Sequence, residues 1–138
     1  MRFKWIVSVA LAVATIGLTG CVETLDGRKK SGYPWGRDTV EGRYEFTPNQ
    51  LWVASKDVLK HQGTLLSEDT LKSVLEANVD ERTIWVKVDE VDTRVSRVLV
   101  QARTKGGSSD MEMAAFIDKQ IAVRLASGNL TPAAPAKK

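Results

Sequence analysis

Two runs of alternating side chains constrain this chain most. From Thr83 to Asp89, Ile84, Val86 and Val88 share one face, while Thr83, Trp85, Lys87 and Asp89 share the other. From Arg94 to Thr104, Val98, Val100 and Ala102 fall on one face, with Arg97, Leu99, Gln101 and Arg103 opposite. A period of two is the period of a strand. Glu90-Val91-Asp92-Thr93 is short and polar enough to turn the chain between the runs. The pair reads as an antiparallel hairpin with one wet face and one apolar face that another layer must cover.

Two helices have the character to cover it. Thr47 suits an N-cap, Pro48 the first helical position, and Gln50 completes a capping box. Phe46 and Leu51 sit where a hydrophobic staple packs, and Leu51, Ala54, Val58 and Leu59 follow as an apolar stripe. His61 falls in the last turn, and Gly63 fits the left-handed residue that ends a helix. The second helix follows the loop Lys105-Gly106-Gly107-Ser108. Ser109-Asp110-Met111-Glu112 reads as its capping box, Met113, Ala114, Ile117, Ile121 and Leu125 as its apolar side, and Gly128 as its end. Gly42 to Phe46, Thr64 to Ser67 and Ser73 to Val79 read as further strands. Leu71, Val74 and Leu75 also fit a helical face, and alternation is preferred there. The expected order is β-α-β-β-β-α, an α+β two-layer sandwich with two helices packed on one face of an antiparallel sheet. It occupies residues 40–128.

The N-terminal segment is of another kind. Arg2 and Lys4 precede an uncharged apolar run, Trp5 to Leu18, which closes on Leu18-Thr19-Gly20-Cys21. Charged start, apolar middle and small-residue end describe a secretory signal. The run falls short of the about 20 apolar residues that span a bilayer. A plain secretory signal would leave Cys21, the only cysteine, as a lone thiol. The four closing residues resemble the lipobox of bacterial lipoproteins. That resemblance implies removal of a signal peptide at residues 1–20, then a diacylglyceryl thioether and an N-acyl chain of the palmitate class on Cys21. Several such chains anchor a protein stably. Val22, in place of aspartate, implies the outer membrane, with the protein facing the periplasm of the cell envelope. The domain also resembles a group of small bacterial lipoproteins of unknown function. The shared features are Thr47-Pro48 opening a helix, the Trp85-Val86-Lys87-Val88 strand, and the Val98 to Thr104 strand leading through Gly106-Gly107 into the last helix. The resemblance implies a fold and an envelope location, and carries no activity or functional residues.

Residues 21–39 hold Gly27, Gly32, Gly36 and Pro34 with the basic Arg28, Lys29 and Lys30, and no apolar periodicity. We read them as a flexible tether. Tyr33-Pro34-Trp35-Gly36 within it can dock on the domain, on the membrane interface or on a partner, and docking on the domain is preferred. Residues 129–138 are expected to be a disordered tail. The formal charge of +3 falls to +1 once Arg2 and Lys4 leave with the signal. Such a balance does not favour a nucleic-acid partner.

Catalytic chemistry finds little material. His61 is the only histidine, at a helix end, where its ordinary role is a cation near the C-terminus. The acidic pairs Glu68 with Asp69, Asp80 with Glu81, and Glu90 with Asp92 stand beside turns and read as solvated. One histidine and no free cysteine build no zinc site, and no cofactor is expected. Lys105-Gly106-Gly107-Ser108 before a helix is a weak anion-binding signal. The strongest hint is the wet sheet face, where Trp85, Lys87, Arg97, Leu99 and Arg103 form a candidate partner-binding patch. Its alternative is that the Tyr33–Trp35 stretch or a packed arginine stem covers Trp85. The expected function is a non-enzymatic, lipid-anchored envelope protein that binds another, unknown envelope protein. The alternative is a periplasmic carrier holding a small apolar or anionic ligand between sheet and helices. A hydrolase would need a pocket gathering His61 with a carboxylate and a hydroxyl.

Overall fold

The computed structural model describes residues 20–32 and 38–128, with the backbone alone at 20–22 and 29–32. The expectations for residues 1–19, for Tyr33–Trp35 and for the tail at 129–138 lie outside the described residues. The chain forms β1 (Gly20–Glu23), β2 (Lys29–Gly32), β3 (Thr39–Tyr44), α1 (Pro48–Gln62), β4 (Thr64–Asp69), β5 (Val74–Val79), β6 (Arg82–Asp92), β7 (Val95–Arg103) and α2 (Met111–Ala126). Strands β3 to β7 make one antiparallel sheet in the order β3-β7-β6-β5-β4. Both helices pack on one face of it. The α+β sandwich is therefore as expected, but its order from β3 is β-α-β-β-β-β-α. The strands read over Thr64 to Ser67 and Ser73 to Val79 are both present, as Thr64–Asp69 and Val74–Val79, one more than the expected order counts, and the turn between them holds Ser73 at a φ of 55°.

Alternation places the core. Leu75, Ala77 and Val79 on β5, Ile84, Val86 and Val88 on β6, and Val98, Val100 and Ala102 on β7 all face the helices and are buried. Leu51, Ala54, Val58 and Leu59 of α1 and Ala114, Ile117, Ile121 and Leu125 of α2 meet them. Trp52 packs at the rim of this cluster.

Three local expectations change. Gly63 has a φ of −171°, which is extended rather than left-handed. A Cβ there would stand 2.1 Å from the carbonyl oxygen of Asn78, so glycine answers a close backbone approach where β4 joins β5. The cap of α2 is Asp110, whose Oδ1 accepts from the Met113 N–H at 2.9 Å. Ser109 cannot serve, because it is held in a bridge opposite Arg103 while the Asp110 N–H donates to Ala102 O at 2.9 Å. Strand β6 runs on to Asp92, through a register shift between Glu90 and Asp92, so the turn shrinks to Thr93-Arg94. The Thr47–Gln50 capping box of α1 is present as expected.

The larger correction is at residues 20–32, which form a two-stranded hairpin within the expected tether. Its apolar content is small, and turn chemistry holds it. The Thr24 N–H and hydroxyl both donate to Arg28 O, at 2.8 and 2.9 Å. The Arg28 N–H donates to Asp26 Oδ1 at 3.1 Å, and Gly27 takes a φ of 81° open to glycine.

Candidate functional site

The face of the sheet away from the helices carries every residue of the expected patch. Cross-strand register sets them in rows: Glu76, Trp85, Gln101 and Thr39; Val74, Lys87, Leu99 and Glu41; Asp89, Arg97 and Arg43. Side was read correctly from alternation, but exposure was not. Trp85 is 1% exposed and Arg103 2%, so neither belongs to an open contact patch.

The cover comes from chain remote in sequence. The tip of the β1–β2 hairpin lies over this row. The Leu25 N–H donates to Gln101 Oε1 at 3.0 Å, and Gln101 Nε2 donates to Glu23 O at 3.4 Å. From the other side, Lys72 Nζ donates to Asp26 O at 2.9 Å. Thr24 is buried. Asp38, just before β3, closes the cluster. Its Oδ2 accepts from Gln101 Nε2 at 2.6 Å and from Arg103 Nη2 at 2.5 Å. Arg103 Nη1 donates to Gly107 O at 2.9 Å, which ties the glycine loop to the sheet. Asp38 was not foreseen. A single acid before a strand carries no sequence signal, and its role appears only once β3 lies beside β7.

Beside this cluster opens a cavity of about 480 Å³. Trp85 and Arg103 contribute its buried floor, while Thr83, Thr104, Lys105 and Gly106 contribute to its wall and rim. The sheet-face candidates and the weak anion signal of Lys105–Gly107, separate in the sequence, meet here. The other expected residues lie further along the face. Arg97 Nη2 is 2.9 Å and Lys87 Nζ 3.6 Å from the Asp89 carboxylate, with Leu99 opposite Lys87. These side chains are about one-third exposed, so each pair contributes well under about 1 kcal/mol. The middle of the layer between sheet and helices is filled with buried apolar residues, and at its edge a cavity of about 290 Å³ is lined by Pro48 and Trp52 of α1 with Ser73 and Val88.

The histidine lies on the opposite layer. His61, Asp57 and Ser127 all line a groove between the helix ends. The three residue types of a hydrolase are thus neighbours, and His61 Nδ1 stands 3.6 Å from Asp57 Oδ1, but the serine hydroxyl is turned to Arg124 O and not to the histidine. His61 Nδ1 is 3.0 Å from its own helix carbonyl, Asp57 O. Asp57 Oδ2 is 2.6 Å from Arg124 Nε. The Ser127 hydroxyl donates to Arg124 O at 2.8 Å, and its proton is therefore not aimed at a base. Among the described residues no group of three metal-ligating side chains occurs, and no helix is long and apolar enough to cross a membrane. In comparisons with known proteins, no family model, no curated protein and no solved structure matches the chain.

Proposed function

We propose that the protein is a non-enzymatic, lipid-anchored component of the cell envelope, held at the outer membrane through Cys21 and binding an envelope protein through its outer sheet face. The docked hairpin is the observation that supports this reading most. Cys21 lies in β1, opposite Ser31, only a few residues from the point where Leu25 is bonded to the sheet. Four residues of strand span about 14 Å. Lipid on Cys21 would therefore hold the domain close to the bilayer, with the outer face on the membrane side. A flexible leash would let the domain turn freely. With Trp85 and Arg103 covered, the partner surface narrows to Lys87, Arg97 and Leu99, with Arg43 beside them.

The anchor is tested by expressing the full chain and its Cys21→Ser variant in a two-membrane bacterium. The wild-type chain should fractionate with the outer membrane, and its N-terminal peptide should carry the mass of the acyl groups. The variant should leave the membrane fraction. An unacylated wild-type protein in the soluble fraction, with a titratable thiol, would overturn the proposal.

A further inference from the structure

We infer that the cavity beside Trp85 and Arg103 is a binding site for a small organic anion, a carboxylate or phosphate ester carrying a flat apolar part. The inference does not depend on the lipid anchor, and it places a ligand on the outer face, not between the layers.

Size is the first ground. A volume of about 480 Å³ exceeds what a lone ion needs and falls within the range of about 300–1,000 Å³ of small-molecule pockets. The second is the floor. Arg103 is 2% exposed, yet its Nε has no hydrogen-bond partner among the described residues. A buried charged donor without an acceptor is costly, and an oxygen of a bound ligand would relieve that cost. Both Nη atoms of Arg103 are bonded, Nη2 to Asp38 and Nη1 to Gly107 O. These bonds fix the guanidinium plane in advance, so a ligand oxygen would meet a preset donor after a small local adjustment.

The third ground is the rim. Lys105 is exposed and makes no ion pair among the described residues. Thr83 and Thr104 bring hydroxyls, and Gly106 has no side chain to block entry. Glu81 is the rim's one acid and is exposed to water, where its field is screened. Lys105 and Arg103 outweigh it, while Asp38 offsets part of the Arg103 charge, so the site suits a monoanion better than a highly charged ligand. The Trp85 indole in the floor supplies an apolar wall for a flat group.

The full chain in detergent is titrated with benzoate, phenyl phosphate and, as the uncharged control, phenol. Binding is followed by the amide signals of Thr104, Gly106 and Gly107 and by the Trp85 indole signal. One anion should give saturable shifts at these positions, and which one binds distinguishes carboxylate from phosphate. Lys105→Gln, on the exposed rim, should weaken binding about tenfold while leaving the spectrum folded. Thr104→Val gives a second rim variant, expected to weaken binding in the same direction. Equal binding of phenol, the absence of saturable shifts with either anion, or unchanged affinity in both variants would overturn the inference.

Discussion

Asp38 and Arg103 show how one carboxylate decides the state of a sheet face. Arg103 is buried, and its charge is tolerable because Asp38 stands 2.5 Å away and Gly107 O accepts a second bond. Removing one partner of a buried pair leaves the other charge uncompensated, at a cost of about 3 kcal/mol. Asp38→Ala should therefore lower the urea midpoint by that equivalent, and Asp38→Ala with Arg103→Met should cost less than the sum of the two. Tyr44 is a second such residue. Burial, then its 2.7 Å bond to Asp118 Oδ1 and the charge of that carboxylate, push the phenol well above its ordinary 10.0. The folded state holds this proton more tightly than the unfolded chain does. Its contribution is complete below pH 10 and is lost as pH rises towards the folded value. Unfolding midpoints of the wild-type chain should fall between pH 10 and 12 more steeply than those of Tyr44→Phe. The sheet face on which Trp85 lies was legible in the sequence, since alternation reports side. Its burial was not, because the cover comes from Thr24 to Asp26 and no local pattern reports a contact across that separation.

At the scale of elements, helices and strands followed from stripe and alternation, and so did the start of α1 at its capping box, but other ends did not. Ends depend on which backbone groups a neighbour has already taken. The Ser109–Asp110 choice is such a case, and it has a pH consequence. The Met113 N–H, followed by the Arg82 guanidinium, holds the Asp110 carboxyl below its ordinary 3.8, with burial opposing. The stability this provides is present above that pH and lost as pH falls through it. Asp110→Asn should make the loss of stability between pH 5 and 3 shallower, as followed by thermal unfolding. The β5–β6 turn is strained, with Asp80 at a φ of 48° and Glu81 at 63°. Left-handed backbone costs a side-chain-bearing residue about 1–2 kcal/mol. Glu81→Gly should raise stability by about 1 kcal/mol in denaturant titration, less the chain entropy glycine adds. The sheet's edges are guarded against pairing with other chains. Strand β4 carries an irregularity between Leu65 and Ser67 and the Lys56–Glu68 pair beside it, and β3 alternates Glu41 and Arg43 outward.

For the whole molecule, the decisive contact is between its two sheets. The two-layer sandwich is complete without residues 20–32, yet the hairpin's tip is bonded to Gln101 and Lys72. The cover over Gln101 is a product of that docking, whereas the cavity beside it is lined by the sheet and the loop at 104–107. The domain could be read from its own alternation. The hairpin could not, because Thr24, Asp26 and Gly27 form a turn whose strands lack the apolar pattern of a buried sheet. What looked like a spacer is an ordered strut, and freedom to reorient shifts away from the segment that would carry the lipid.

The ladder that begins at Gly20 also has a temporal meaning. Gly20 faces Gly32, so the bond between Gly20 and Cys21 lies inside a paired strand once the hairpin has formed. Peptidases grip an extended segment with its backbone groups available. On the proposed route, maturation of the N-terminus must come first and closure of the hairpin second. On that route a precursor that folded early would conceal the proposed cleavage point, and the rate of hairpin formation would set a deadline for processing.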